Sequence, residues 1–313
     1  MVGEGNFRNI LCGVDLSTDT PVVEAHRIAG GSDVGPRLTF LHVLPDDFPG
    51  APMSPAGAAQ AVIDRERLGR TVGDALEAAV AQLTGRDARS SRFEIEGGVP
   101  SEVIIRRAGE IPADLVVIGR SSSADHGRDV VPLGKALLGR TATSVVREAP
   151  CSVLVVRQAL VPRSGMRVLA AVDLLDGTAQ VVRIAAVQAA RMGAGLTLLH
   201  SLDPIRPATL GDPAVGTPLV IPGEASDELV RSAQERLREL VARIDLKAET
   251  LVVEEPPATA IVRTAESLDA VLLVVGTRAK PGLVRLVLGS VAEEVVTRSP
   301  CNVLVVRQAS SPR

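Results

Sequence analysis

The stretch that decides the fold is residues 269–308, DAVLLVVGTRAKPGLVRLVLGSVAEEVVTRSPCNVLVVRQ. An apolar run ends at Gly276, a basic loop that contains glycine follows, and Gly289 and Ser290 open a helix-like segment. A proline ends that segment before a second apolar run. The order strand, loop, helix, strand places free backbone N–H groups and a helix dipole at the carboxyl edge of a sheet. That arrangement suits an anion such as phosphate.

The ending of this stretch occurs twice in the chain. The heptapeptide VLVVRQA stands at 153–159 and again at 303–309. The chain has 313 residues, which is enough for two domains of ordinary size with a core each. We therefore predict a tandem repeat with domains at 1–159 and 166–313, joined by a segment that contains Pro, Ser and Gly.

The composition favours a sheet covered by helices. Apolar residues make up 46% of the chain and aromatic residues 1%, with no Trp or Tyr. Packing must then depend on Val, Leu, Ile and Ala, as in buried parallel strands. The net charge of −3 argues against a general polyanion binder, and aromatic platforms for base stacking are scarce. We expect no nucleic-acid partner.

The sequence also indicates a compartment. No apolar run approaches the roughly 20 residues that cross a bilayer, and the first residues lack the apolar region of a secretory signal. Cys12, Cys151 and Cys301 show no metal-binding spacing and lie in or beside apolar runs, as small buried side chains do. We expect a cytoplasmic protein without a membrane partner.

Both halves show the same alternation of apolar runs and helical patterns. Predicted strands lie at 10–15, 38–44, 93–96, 114–118, 153–156, 168–173, 196–202, 249–253, 270–275 and 303–306. Predicted helices lie at 21–29, 61–83, 100–111, 133–147, 226–244 and 257–267, with one more after Gly289. Segments 45–59 and 203–223 are rich in Pro and Gly and are predicted as long loops. The fold class is α/β, with two tandem doubly wound parallel five-stranded sheets flanked by helices.

Four features recur at strand ends in both halves. The first strand ends in Asp, the second in Leu-His and the fourth in Gly, and each half closes with Pro-Cys-x-Val-Leu-Val-Val. The residues at the strand ends are Asp15 and Asp173 for the first strands, His42 and His200 for the second, and Gly119 and Gly276 for the fourth. On these features the chain resembles the universal stress protein family in its tandem form. The resemblance implies strand order 3-2-1-4-5. It also implies pairing of the last strands of the two repeats within one chain, like a family dimer, with a homodimer of chains as a further option.

Some members of that family bind ATP through Gly-x-x-Gly, nine residues, and then Gly-Ser or Gly-Thr, whereas others lack the motif. The second repeat fits with Gly276, Gly289, Ser290 and the following Val291, but Ala279 replaces the second glycine. If that position needs a left-handed backbone, alanine costs roughly 1 kcal/mol relative to glycine. If it needs close approach to phosphate, the added methyl group interferes directly.

The resemblance assigns the second repeat a nucleotide site for ATP, with or without Mg²⁺, and places Asp173 at the adenine end. Arg278, Lys280 and Arg285 either offset phosphate charge or form a solvated basic loop. Ser290 also begins a capping box with the glutamate three residues later, a role that needs no ligand.

The first repeat departs further from the motif. Gly139 lies 20 positions after Gly119, whereas Gly289 lies 13 positions after Gly276 in the second repeat. Arg140 also stands where the motif has Ser or Thr. Asp15 and Ser17 nevertheless keep the Asp-x-Ser of the family's adenine-side turn. We predict a degenerate first site.

Simpler roles exist for the strand-end residues. Asp15 and Asp173 can serve as turn carboxylates that cap the next helix, although ligands bind at this edge in such sheets. His42 and His200 are predicted to be satisfied core residues rather than ligands.

Two sequence motifs that resemble catalytic motifs are incomplete. Gly134-Lys135 lacks the hydroxyl residue and the first glycine of a P-loop, and Gly119-Arg120-Ser121 lacks the closing glycine of a nucleophile elbow. We predict no fast enzyme. Two functions remain: a stress-response regulator that binds an adenine nucleotide mainly in its second repeat, or a nucleotide-free scaffold that acts on an unidentified protein partner through its surface.

Overall fold

The computed structural model describes residues 6–15, 17–29, 37–44, 55–84, 91–120, 138–175, 177–203, 223–277 and 289–307, excluding the side chains of 55–68, 84 and 223–226. The described chain divides into two compact units. One spans Phe7–Val161, and the other takes the described part of 162–307 together with Asn6.

The first unit is a parallel sheet with helices between its strands. Its elements are β1 (Asn9–Val14), α1 (Thr20–Ala29), β2 (Arg37–Leu44), α2 (Pro55–Thr84), β3 (Ser91–Gly97), α3 (Pro100–Glu110), β4 (Leu115–Gly119), α4 (Arg140–Glu148) and β5 (Ser152–Val156). The strands pair in the order β3-β2-β1-β4-β5. This is the predicted 3-2-1-4-5 order.

The second unit repeats the plan. Its elements are β6 (Arg167–Ala171), α5 (Thr178–Met192), β7 (Gly195–Leu202), α6 (Gly223–Ile244), β8 (Glu249–Glu254), α7 (Pro257–Ser267), β9 (Ala270–Thr277), α8 (Ser290–Arg298) and β10 (Asn302–Arg307). The strands pair in parallel in the order β8-β7-β6-β9-β10. The predicted α/β class, with the five-strand parallel order repeated in the two halves, is confirmed.

Aliphatic side chains fill both cores, as the composition predicts. The inner strands are buried along most of their length, because helices cover parallel sheets on both faces. Cys12, Cys151 and Cys301 are buried and form no disulfide, which confirms the prediction of small core side chains. Burial raises the pKa of the Cys12 thiol, so this thiol stays protonated and unreactive.

Two predicted helix boundaries are wrong. Residues 55–59, predicted as loop, belong to α2, because an alanine-rich segment with proline at its first turn suits a helix. The helix predicted at 133–147 does not include Gly139, which has an extended backbone (φ −61°, ψ 152°), and α4 begins at Arg140; residues 133–137 lie outside the described residues. No helix in the described part of the chain is both long and apolar enough to cross a membrane.

A buried carboxylate holds the segment that follows β5, and sequence analysis missed it. Glu24 on α1 has an exposed fraction of 0%. Its Oε1 accepts a hydrogen bond from the Leu160 backbone N–H at 2.7 Å. Its Oε2 is ion-paired with Arg27, whose Nε lies 3.0 Å away. Both oxygens of this buried group therefore have partners, as a buried charge requires.

Candidate functional site

The second unit brings the predicted site residues to one edge of its sheet. Ala171 at the end of β6 pairs with Val275 near the end of β9. Asp173 and Gly276 therefore lie close to the ends of two neighbouring strands. Helix α8 lies between β9 and β10, which are parallel neighbours, and so its N-terminus meets the same carboxyl edge. The carboxylate of Asp173, the glycine at 276 and the N-terminus of α8 therefore lie at the same edge of the sheet.

The N-terminus of α8 is exposed in the described part of the chain. Gly289 is the N-cap (φ −66°, ψ 146°), and no side chain caps the helix at that residue. Among the described residues, no atom would lie within 4 Å of a Cβ added at Gly289. Ser290 is exposed, and Val291 is at the threshold of exposure at 36%. The first-turn N–H groups and the positive end of the helix dipole are directed to this space.

The predicted capping box is wrong. Such a box needs the hydroxyl residue at the N-cap, but Ser290 is the first helical residue and glycine takes the N-cap. The glycine carbonyl accepts the Glu293 N–H at 3.0 Å, which is an ordinary helical bond. A capping box therefore does not explain Ser290.

The loop between β9 and α8 was also part of the prediction. Ala279, Arg278, Lys280 and Arg285 lie outside the described residues. Thr277, the last residue of β9, is 3% exposed, and its hydroxyl donates to the Val306 carbonyl at 3.4 Å. This side chain therefore belongs to the sheet.

The turn after β6 is fixed by hydrogen bonds. Asp173 Oδ1 accepts the Leu175 N–H at 3.0 Å and the Thr178 hydroxyl at 3.0 Å. Leu174 has a positive φ of 57°, and Arg236 on α6 donates to its carbonyl at 2.8 Å. Asp173 thus acts as a turn carboxylate in the structure, and its contact with a ligand stays a prediction. Sequence analysis missed Arg236, which is distant from this turn in sequence.

The first unit has the same turn after β1. Asp15 Oδ1 accepts the Ser17 N–H at 3.0 Å, as Asp173 accepts the Leu175 N–H. The turn is therefore made by the aspartate and a backbone N–H, and the Ser17 hydroxyl is not needed for it.

The helix N-terminus of the first unit is less open. Gly139 is the N-cap of α4, but it is buried, and its N–H donates to the Arg120 carbonyl at 2.9 Å. The Arg120 N–H bonds to Val156, next to Gly119 at the end of β4. Arg140 is exposed at the first helical position, where the helix dipole disfavours a cation.

The two strand-end histidines have equivalent partners. Nδ1 of His42 lies 2.7 Å from the Val14 carbonyl, and Nδ1 of His200 lies 2.8 Å from the Val172 carbonyl. A carbonyl only accepts, so each Nδ1 carries a proton and donates it. Each ring is thus hydrogen-bonded to the end of the first strand of its unit. This agrees with the prediction that both histidines have hydrogen-bond partners within the protein.

Comparisons with known proteins agree with this duplication. The model of the universal stress protein family matches residues 6–157 and 166–307. A universal stress protein of Mycobacterium tuberculosis is 28% identical over 308 residues, covering 96% of this chain and 97% of the relative. A shorter universal stress protein of Thermus aquaticus is 32% identical over 141 residues, covering 45% of this chain and 97% of its own length.

Solved structures of similar length share the fold. A universal stress protein from Archaeoglobus fulgidus has a TM-score of 0.59 at 18% identity, covering 96% of this chain and 97% of that one. A protein of unknown function from Pseudomonas aeruginosa has a TM-score of 0.64 at 22% identity, covering 97% and 94%.

Proposed function

The chain belongs to the universal stress protein family, with two family domains in tandem, and from this we propose that it binds ATP at the carboxyl edge of the second repeat. Binding, rather than rapid turnover, would be the output of such a stress-response regulator. The division of the chain into domains at 1–159 and 166–313 is part of the same proposal.

The open N-terminus of α8 carries the proposal. Its N-cap is an exposed glycine, no atom of the described residues would lie within 4 Å of a Cβ added there, and it stands at the same sheet edge as Gly276. The phosphates would lie on the first-turn N–H groups of Ser290 and Val291, with the serine hydroxyl as a further donor. A bound triphosphate supplies the negative charge that complements the helix dipole. Any Mg²⁺ would be bound largely through the phosphates, as this ion usually is.

The base would lie against the turn after β6. Asp173 is held in place by Leu175 and Thr178, and Arg236 fixes the adjacent carbonyl. A turn that is already ordered loses little conformational entropy when a ligand binds. This favours a preformed adenine pocket next to the phosphate position.

The second repeat is the better candidate of the two. In the first repeat the N-cap Gly139 is buried and its N–H is already bonded to the Arg120 carbonyl. The same observation favours a second candidate function, in which the protein is a scaffold without nucleotide that acts on a protein partner.

Pairing of the two repeats through their last strands, and pairing of two chains, stay predictions that light scattering and cross-linking can test.

Equilibrium dialysis separates the two functions. The full chain, dialysed against ATP, is expected to retain one nucleotide per chain above the free concentration. After denaturation the nucleotide is read near 260 nm, where a chain without Trp or Tyr absorbs weakly. Equal nucleotide on both sides of the membrane at millimolar ATP would contradict the proposal and favour the scaffold.

A further inference from the structure

A cavity of about 660 Å³ opens between α2 and the outer strand β3 of the first unit. Its volume falls in the range of roughly 300–1,000 Å³ that is usual for small-molecule sites. None of the proposed nucleotide-site residues lines it.

Two helix glycines create the space. Gly69 and Gly73 lie one turn apart on α2 and face Ile95 on β3. A Cβ added at either would lie 3.8 or 3.9 Å from the Ile95 side chain, which is ordinary contact, so alanine would fit at both positions. Glycine destabilises a helix interior relative to alanine, and the fold does not require it here.

The second repeat carries larger residues at the corresponding helix positions. The buried leucines Leu76 of α2 and Leu237 of α6 are 161 positions apart. The same offset aligns the two glycines with larger residues, Val230 and Gln234. The two glycines are therefore particular to the first repeat's sequence rather than a requirement of the shared fold.

An aromatic ring forms part of the cavity wall. Phe93 on β3 stacks on Phe40 with ring centroids 5.5 Å apart and an interplanar angle of 18°. Phe93 is half-buried and also lines the cavity. Phe40 on β2 corresponds to Leu198 on β7 of the second repeat. Phe40 pairs with Phe93, and Leu198 pairs with Thr250, so Thr250 is the counterpart of Phe93. The aromatic wall is thus specific to the first repeat as well.

The charges around the cavity are mainly negative. Asp74 and Glu77 line it and are exposed, and no side chain in the described part of the chain forms an ion pair with either. Arg70 lines it too. A third carboxylate, Glu96, is held by Arg106 and Arg107. Among the described lining side chains, Asp74 and Glu77 thus carry two negative charges and Arg70 carries one positive charge.

We propose that this cavity binds a small organic ammonium ion with an apolar body. Ile95 and Phe93 accept the apolar part, the ring face attracts the cation, and Asp74 and Glu77 neutralise it. The proposal does not depend on nucleotide binding.

Three probes with one hydrocarbon chain test the charge preference. Octylammonium, octanol and octanoate are titrated into the full chain by calorimetry below their aggregation concentrations. Octylammonium is expected to bind more tightly than octanol, and octanoate is expected to bind least. Asp74→Asn with Glu77→Gln should weaken octylammonium binding about fivefold and leave octanol unchanged.

A cavity-filling variant tests the location. Gly73→Gln introduces the residue of the second repeat, and it should abolish octylammonium binding while the melting temperature stays level or rises. Gly109→Gln is the matched control, because Gly109 is an exposed helix glycine with no atom within 4 Å of an added Cβ. Equal binding of the three probes, no binding of octylammonium, or unchanged binding in Gly73→Gln would overturn the proposal.

Discussion

Replacing Gly289 with aspartate is expected to abolish the rise in melting temperature that ATP gives the full chain. Gly289 has the extended backbone of an N-cap, and no atom of the described residues lies within 4 Å of a Cβ added there. Aspartate is a favoured N-cap residue, and its carboxylate would accept a first-turn N–H where a phosphate would bind. The carboxylate would also repel the phosphates.

The expected difference is large enough to measure. At ATP equal to 100 times Kd, linkage stabilises the parent by about 2.7 kcal/mol. A domain of this size gains roughly 2–4 °C per kcal/mol, so the parent should shift by about 5–10 °C and the variant by none. The variant without ATP should be more stable than the parent by roughly a few tenths of a kcal/mol, because aspartate is only slightly better than glycine at an N-cap. Scanning calorimetry suits a chain without Trp or Tyr.

A matched control separates position from charge. Gly109→Asp adds the same carboxylate at another exposed helix glycine with open space around it, and it should keep the full ATP shift. An undiminished shift in Gly289→Asp would show that the phosphates do not lie at the start of α8.

Replacing Glu24 with alanine is expected to destabilise the chain by about 3–5 kcal/mol, as removal of one partner from a buried ion pair does. The change leaves the Leu160 N–H without its acceptor and the Arg27 guanidinium without its partner. Urea unfolding followed by circular dichroism measures the loss of free energy.

An exposed ion pair provides the control. Glu294 pairs with Arg298 on α8, with side-chain exposures of 49% and 45%. Glu294→Ala should cost no more than about 0.5 kcal/mol, because surface pairs contribute little. Similar losses in Glu24→Ala and Glu294→Ala would contradict the role given to the buried carboxylate.

The sequence was sufficient for features that depend on neighbouring residues. Strands such as β9 are continuous apolar runs, and the heptapeptide at 153–159 and 303–309 revealed the duplication. Turn aspartates such as Asp173 bond to a backbone N–H two residues on, so their local sequence predicts them.

Features that depend on distant or competing contacts were missed. Glu24 bonds to a residue 136 positions away, and Arg236 bonds to a carbonyl 62 positions away. The N-cap of α8 was assigned one residue too late, because Gly289 and Ser290 can both end the preceding loop and only backbone angles decide between them. The cavity beside α2 depends on which helix face meets β3, so Gly69 and Gly73 carried no signal of their own.

A crystal structure of the full chain with ATP tests the central claim most directly. The account predicts phosphate density at the start of α8, on the N–H groups of Ser290 and Val291, with the adenine against the turn at Asp173. A crystal grown at saturating ATP with this edge empty, or with nucleotide only at α4, would contradict it.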